Sequence, residues 1–220
     1  MLSMFNIDIQ QILFSIPAIL IAFTFHEYAH AMVADKLGDK TPRFQGRLTL
    51  NPIAHIDPIG FILILLLRFG WAKPVETNPR AFKNYYKDDL KVSIAGPLAN
   101  LAVAIVAAII FGICNKFMSN SNLSIIIVTL IYAVIQYNTM FFLLNFIPIP
   151  GFDGFHILRD LFPKEFYNIS DTLYRYQLII FLVLVMPIFN GYSILSYVIS
   201  IPANDISNLL VQLSTAIFGM

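Results

Sequence analysis

Pro58-Ile59-Gly60-Phe61-Ile62-Leu63-Ile64-Leu65-Leu66-Leu67 (PIGFILILLL) is apolar from end to end, and whether it crosses a bilayer decides how the chain is threaded. Ten helical residues reach roughly 15 Å, whereas a hydrocarbon core is about 30 Å thick and takes about 20 residues. The stretch is too short to cross, and charge agrees. Ten of the 14 Lys and Arg lie between Lys36 and Lys91, on both sides of it; three more fall in the Phe152–Arg175 loop and Lys116 stands alone in another turn. If the stretch crossed, Lys73 to Lys91 would face away from the other basic residues. If it does not, nearly all basic residues share one side, which the positive-inside rule makes cytoplasmic. The stretch is therefore read as re-entrant or interfacial, with the N-terminus outside.

Working outward, uncharged runs place the spans. Ile9 to Ala34 holds one formal charge, Glu27, while Val92 to Asn115 and Phe117 to Phe152 hold none, and each accommodates one crossing. Tyr176 to Asn204 is also uncharged, but Pro187, Asn190, Gly191 and Pro202 interrupt it, so one or two further helices fit the C-terminal region. Hydrophobic residues make up 58% of the 220 and charged ones 12%, with a mean hydropathy of +0.73. Soluble domains carry about 25% charge. An all-α polytopic membrane protein is expected, as a single domain over residues 1–220 with a core at about 9–160 and accessory helices at about 176–220. The net charge of +1 suggests no nucleic-acid partner, and the lone Cys114 excludes a disulfide framework or a cysteine-rich metal site. No Lys or Arg precedes the first apolar run and no cleavage site follows it, so that run reads as a permanent helix rather than a signal.

The flanks of the short stretch look extended. Arg47-Leu48-Thr49-Leu50 and Trp71-Ala72-Lys73-Pro74-Val75 alternate polar and apolar residues. Unpaired strands cannot face lipid, so the two must pair with each other or line a wet cavity.

The first span contains His26-Glu27-Tyr28-Ala29-His30, an H-E-x-x-H pattern. Spacing of i, i+4 puts both imidazoles on one helical face, where they can share a zinc ion, and the glutamate can act as base towards a metal-bound water. Four His and three Glu in the whole chain make a chance assembly rare. An ionisable residue in mid-span costs about 2.5 kcal/mol or more, and function is its default reading. A catalytic zinc wants a third protein ligand. Asp153 follows two prolines and precedes Gly154, where it serves equally as a ligand or as an ordinary turn aspartate. His55 and His156 lie in polar, basic loops and read as solvated or capping histidines. Asn145, inside the apolar run, either stabilises an oxyanion or bonds a neighbouring helix, with helix packing slightly favoured. Gly96-Pro97-Leu98-Ala99-Asn100 reads first as a patch where helices approach closely, with Asn100 lining the site as a lesser alternative.

Together with "GRLTLNPIAHIDPIG", "FGWAKPVETNPR" and "AGPLAN", these motifs make the chain resemble the site-2 protease family of intramembrane zinc metalloproteases, in its small bacterial branch without a PDZ domain. The likeness runs from His26 to Asp153-Gly154 and weakens after about Arg175. It implies a three-helix transmembrane catalytic core, with a short membrane-associated β-hairpin or re-entrant segment beside it. It implies one Zn2+ held by His26, His30 and Asp153, with Glu27 as base and Asn145 as a stabiliser of the tetrahedral intermediate. It implies a transmembrane protein or peptide as substrate, in the lipid bilayer of a bacterial inner membrane, with the active site towards the cytoplasm. The sequence departs from the family at Gly151-Phe152, where a bulky residue and leucine often precede Asp-Gly. Two rival readings are an intramembrane metal transporter or sensor and an inactive relative that binds helices without cutting them. The first would string its ligands along several helices, and the second is disfavoured by an intact Glu27.

Overall fold

The computed structural model describes residues 9–67, 70–119, 121–189 and 192–219. The outward N-terminus and the interruptions of the apolar run read at Asn190 and Gly191 fall outside the described residues. Among the described residues three helices are long and apolar enough to cross a membrane: α1 (Ile9–Lys36), α4 (Tyr85–Phe117) and α5 (Asn122–Leu144). They pack against one another through small residues. Ala18 and Ala22 on α1 and Ala104, Ala107 and Ala108 on α4 are buried, which lets the backbones approach where larger side chains would hold them apart. Phe111, Val134 and Ile135 fill the seam at one level, and Ile19, Phe23 and Phe141 fill it at another. The start of α5 is fixed by a reciprocal cap. Ser121 Oγ accepts the Ser124 N–H at 3.2 Å, and Ser124 Oγ accepts the Ser121 N–H at 2.9 Å.

The decisive stretch forms α3 (Pro58–Leu67), bounded as its sequence implies and packed through Ile64 against Phe23 and Phe141. A four-residue helix, α2 (Thr41–Phe44), and a 3-10 turn at Pro52–His55 precede it. The expected pairing of Arg47–Leu50 with Trp71–Val75 is not formed: the segment after α3 instead bridges Ile56 through Ala72, antiparallel, with the Lys73 N–H donating to the His55 carbonyl at 3.0 Å, and Arg47 reaches it only by its side chain. Prolines at 52, 58 and 74 remove the amides that a longer ladder would need. The segment after α3 lines a cavity instead.

Beyond the core, α6 (Asp153–Leu161) and α7 (Pro163–Val185) follow, then an antiparallel pair β1 (Pro187–Phe189) and β2 (Tyr192–Ser193), a π-helical turn, and α8 (Ile201–Ile217). The long uncharged run from Tyr176 to Asn204 is thus split between two helices. Residues 178–185 at the end of α7 are apolar, whereas α8 carries Asn204, Asp205, Asn208 and Gln212, and among the described residues neither helix is long and apolar enough to cross. Helix α8 packs on α4 and α5, with Ser214 Oγ donating to the Ala108 carbonyl at 2.5 Å.

Candidate active site

Helical spacing on α1 brings His26, Glu27 and His30 to the wall of a cavity of about 1090 Å³, all three side chains largely buried. Asp153, the first residue of α6, reaches the same point. His26 Nε2 lies 3.0 Å from His30 Nε2 and 3.1 Å from Asp153 Oδ2, and His30 Nε2 lies 3.3 Å from Asp153 Oδ1. The Asp153 carboxylate thus points back into the bundle, beside both imidazoles.

The far side of each imidazole shows what these atoms can hold. His26 Nδ1 lies 2.7 Å from Asn100 Oδ1, and His30 Nδ1 lies 2.7 Å from the Val92 carbonyl. Asn100 is fully buried and its Nδ2 donates to the Ala22 carbonyl and to Asn138 Oδ1, both at 3.0 Å. That network fixes Oδ1 as the acceptor, so His26 Nδ1 carries the hydrogen; a backbone carbonyl only accepts, so His30 Nδ1 does too. A neutral imidazole has one N–H. Both Nε2 atoms therefore present lone pairs to each other and to a buried carboxylate, whose Oδ2 has no hydrogen-bond donor. Three mutually facing acceptors repel unless a cation lies between them. Two imidazoles and a carboxylate suit zinc, and the hydrogen bonds behind the rings orient them as metal-bound histidines require.

Helix α4 supplies this support because of its internal Gly96-Pro97. Pro97 has no N–H and loosens the carbonyls one turn earlier, beside Val92, while Gly96 leaves room for the rings. Asn100, read in sequence mainly as packing, is thus the partner that sets the His26 tautomer. Asn100→Ala is expected to weaken zinc binding about 10- to 100-fold, read by competition with a chelator. Unchanged affinity would remove Asn100 from that role.

Asp153 is held in place from both ends of α6. The Gly154 N–H donates to the Asn145 carbonyl at 2.6 Å, and a Cβ on Gly154 would stand 2.5 Å from the Phe146 and Ile147 carbonyl oxygens, so only glycine allows this approach. Further along, Arg159 pairs with Asp89 of α4 and, at 2.8 Å, with Asp160. Asn145 caps α5 and lines the cavity, and its Nδ2 donates to the Phe141 carbonyl at 3.0 Å.

Of the remaining histidines, His55 departs from its expected surroundings and His156 does not. His55 is fully buried rather than solvated, because the 3-10 turn capped by Asn51 directs its ring inward to donate from Nε2 to the Thr49 carbonyl at 2.8 Å. Burial pushes its pKa below the usual imidazole range. His156 is exposed, as its sequence reading has it, and faces the open cavity one turn along α6 from Asp153.

The profile of Peptidase family M50 matches residues 14–187. The chain belongs to that family. YwhC of Bacillus subtilis (strain 168), a protein named for zinc metalloprotease activity, is 38% identical over 202 residues, which cover 91% of this chain and 90% of YwhC. Rip2 of Mycobacterium tuberculosis (strain H37Rv), similarly named, is 27% identical over 182 residues, or 79% of this chain and 67% of Rip2. Rip2 of Mycolicibacterium smegmatis is 27% identical over 148 residues, 64% of this chain and 54% of that protein. No solved structure matches the chain. The M50 match spans most of the sequence and leaves no room within it for an inserted PDZ domain. The protein is an integral-membrane zinc metalloendopeptidase of the site-2 protease family, with a His/His/Asp cluster able to hold one Zn2+.

One contact in this M50 site has no signature in the sequence. The backbone N–H of Val75, in the extended segment after α3, donates to Glu27 Oε2 at 2.8 Å. Arg47 grips the same segment by its carbonyls. Contacts made by the main chain cannot be read from side-chain patterns.

Proposed function

We propose that the protein hydrolyses peptide bonds within or beside transmembrane segments of membrane-protein substrates, using His26, His30 and Asp153 as zinc ligands and Glu27 as general base. The observation that carries this reading is the convergence of three lone-pair donors beside a buried glutamate, on a helix that crosses the membrane. When bound, zinc supplies Lewis-acid polarisation of the scissile carbonyl and brings the pKa of a water towards about 7. Glu27 takes the proton from the attacking water and delivers it to the leaving amine. Asn145 Nδ2 has two hydrogens, of which Phe141 takes one; the other is available to a developing oxyanion. The cavity gives water and an unwound substrate access to these groups. Clustering of basic residues between Lys36 and Lys91 supports a cytoplasmic opening in a bacterial cell membrane, with the N-terminus outside. The chain would act as one unit, its core at about 9–160 and its accessory helices at about 176–220. Among the described residues a single group of metal-ligating side chains is found, which favours hydrolysis over metal transport.

The test uses purified protein in vesicles with a single-span substrate, the cut mapped by mass spectrometry. Cleavage inside or at the border of the apolar segment, abolished by chelation and restored by zinc, is expected. Cleavage indifferent to chelation, or confined to soluble loops, would contradict the proposal.

A further inference from the structure

Arg47 lies between α2 and the Pro52–His55 turn, outside the three spans, and is only 5% exposed. Its Nη2 donates to the Lys73 carbonyl and, at 2.6 Å, to the Pro74 carbonyl. The next amide along the segment is that of Val75, bonded to Glu27 Oε2. The Lys73 N–H is held by the His55 carbonyl at 3.0 Å, and Pro74 has no N–H. Each of these polar backbone groups is therefore engaged, and the segment is clamped on one side by Arg47 and His55 and faces Glu27 on the other.

We infer that Arg47 is a positioning residue for Glu27: gripping two consecutive carbonyls, it aims the Val75 N–H at Oε2, which fixes the carboxylate and leaves Oε1 as the proton-accepting oxygen. The inference rests on the reading of Glu27 as base. A glutamate side chain has three rotatable bonds, and a charge-assisted N–H···O contact selects one orientation. A guanidinium suits the clamp because its planar donors have fixed geometry, whereas an ammonium is a point charge on a flexible stem. The same contact would have the opposite consequence if the segment were a plug. It would then occupy Glu27 until displaced, and loosening it would raise activity.

The experiment uses the full-length zinc-loaded protein with a transmembrane substrate, comparing Arg47→Ala, Arg47→Lys, Val75→Pro and Val75→Ala, with Glu27→Gln in parallel. Val75→Pro deletes the N–H and Val75→Ala keeps it. Arg47→Ala and Val75→Pro are expected to retain zinc and lose kcat on the order of 10²-fold, the cost of a misplacement of about 1 Å, with little change in KM. Val75→Ala should retain at least about tenfold more kcat than Val75→Pro, and Arg47→Lys should fall between Arg47→Ala and the parent. Added guanidinium should recover part of the Arg47→Ala loss and none of the Val75→Pro loss. Amide exchange in the peptide covering residues 71–78 should accelerate in Arg47→Ala. If Arg47→Ala loses zinc or its folded midpoint, the Val75 pair decides alone. Parent-like or increased kcat in Val75→Pro, or equal losses in both Val75 variants, overturns the inference. Should Glu27→Gln still cut, the base reading fails with it; should Glu27→Gln be inactive while Arg47→Ala and Val75→Pro keep parent kcat, only the positioning role fails.

Discussion

Glu27→Gln is expected to bind zinc as the parent does and to cleave about 10²- to 10⁴-fold more slowly, the range that general base catalysis contributes. The substitution is nearly isosteric. A glutamine can still accept the Val75 N–H through its carbonyl oxygen, so the segment over the site keeps its anchor. The proposed zinc ligands His26, His30 and Asp153 are untouched. What is lost is the basic oxygen facing the attacking water, because the amide replacing it cannot accept a proton there. Zinc stoichiometry, measured by mass spectrometry, and cleavage rate must therefore separate in this variant. Near-parent cleavage would show that another group takes the proton.

Gly96→Ala is expected to abolish zinc binding while leaving the helical core assembled. A Cβ at this position would stand 2.6 Å from both Nε2 and Cε1 of His26 and would also strike His30 Nε2. The rings cannot retreat, since Asn100 and the Val92 carbonyl hold them from behind at 2.7 Å. Helix propensity works in the opposite direction, because alanine favours a helix interior over glycine by about 1 kcal/mol. The helix carrying the substitution should therefore form at least as well, and the damage should appear in the metal. Circular dichroism should be unchanged, zinc content should fall below about a tenth of the parent and activity should fall with it. Full zinc occupancy in this variant would mean that the rings are not where the structure places them.

Much of this architecture is legible in the sequence where length and charge act alone. Helix α3 keeps the limits set by Pro58 and the end of its leucine run, and α1 covers Ile9 to Lys36, two residues past the uncharged boundary. Helix α4 begins at Tyr85, seven residues before its uncharged run, because Asp88 pairs with Lys91 and Asp89 with Arg159. Charge-counting cannot anticipate charges neutralised by tertiary partners. The site divides similarly. His26 and His30 follow from helical periodicity, since i, i+4 leaves no choice of face. Asp153 needed the turn at Gly151 and the close approach at Gly154 before its direction was fixed. Asn100 was undervalued because an asparagine on an apolar helix packs as readily as it orients a ligand. His55 was misread because a polar neighbourhood in sequence does not imply an exposed one. Val75 was invisible, since its contribution comes from an amide that every residue but proline possesses.

Zinc K-edge X-ray absorption of the purified protein, set beside His30→Ala, tests the metal site with the fewest intermediate steps. The parent should show one zinc per chain with two imidazole nitrogens at about 2.0–2.1 Å and oxygen ligands at about 2.0–2.2 Å. His30→Ala should lose one imidazole shell or the metal itself. A sulfur shell at about 2.3 Å, which only Cys114 or a methionine could supply, or a spectrum unchanged by His30→Ala, would contradict a zinc site at His26, His30 and Asp153.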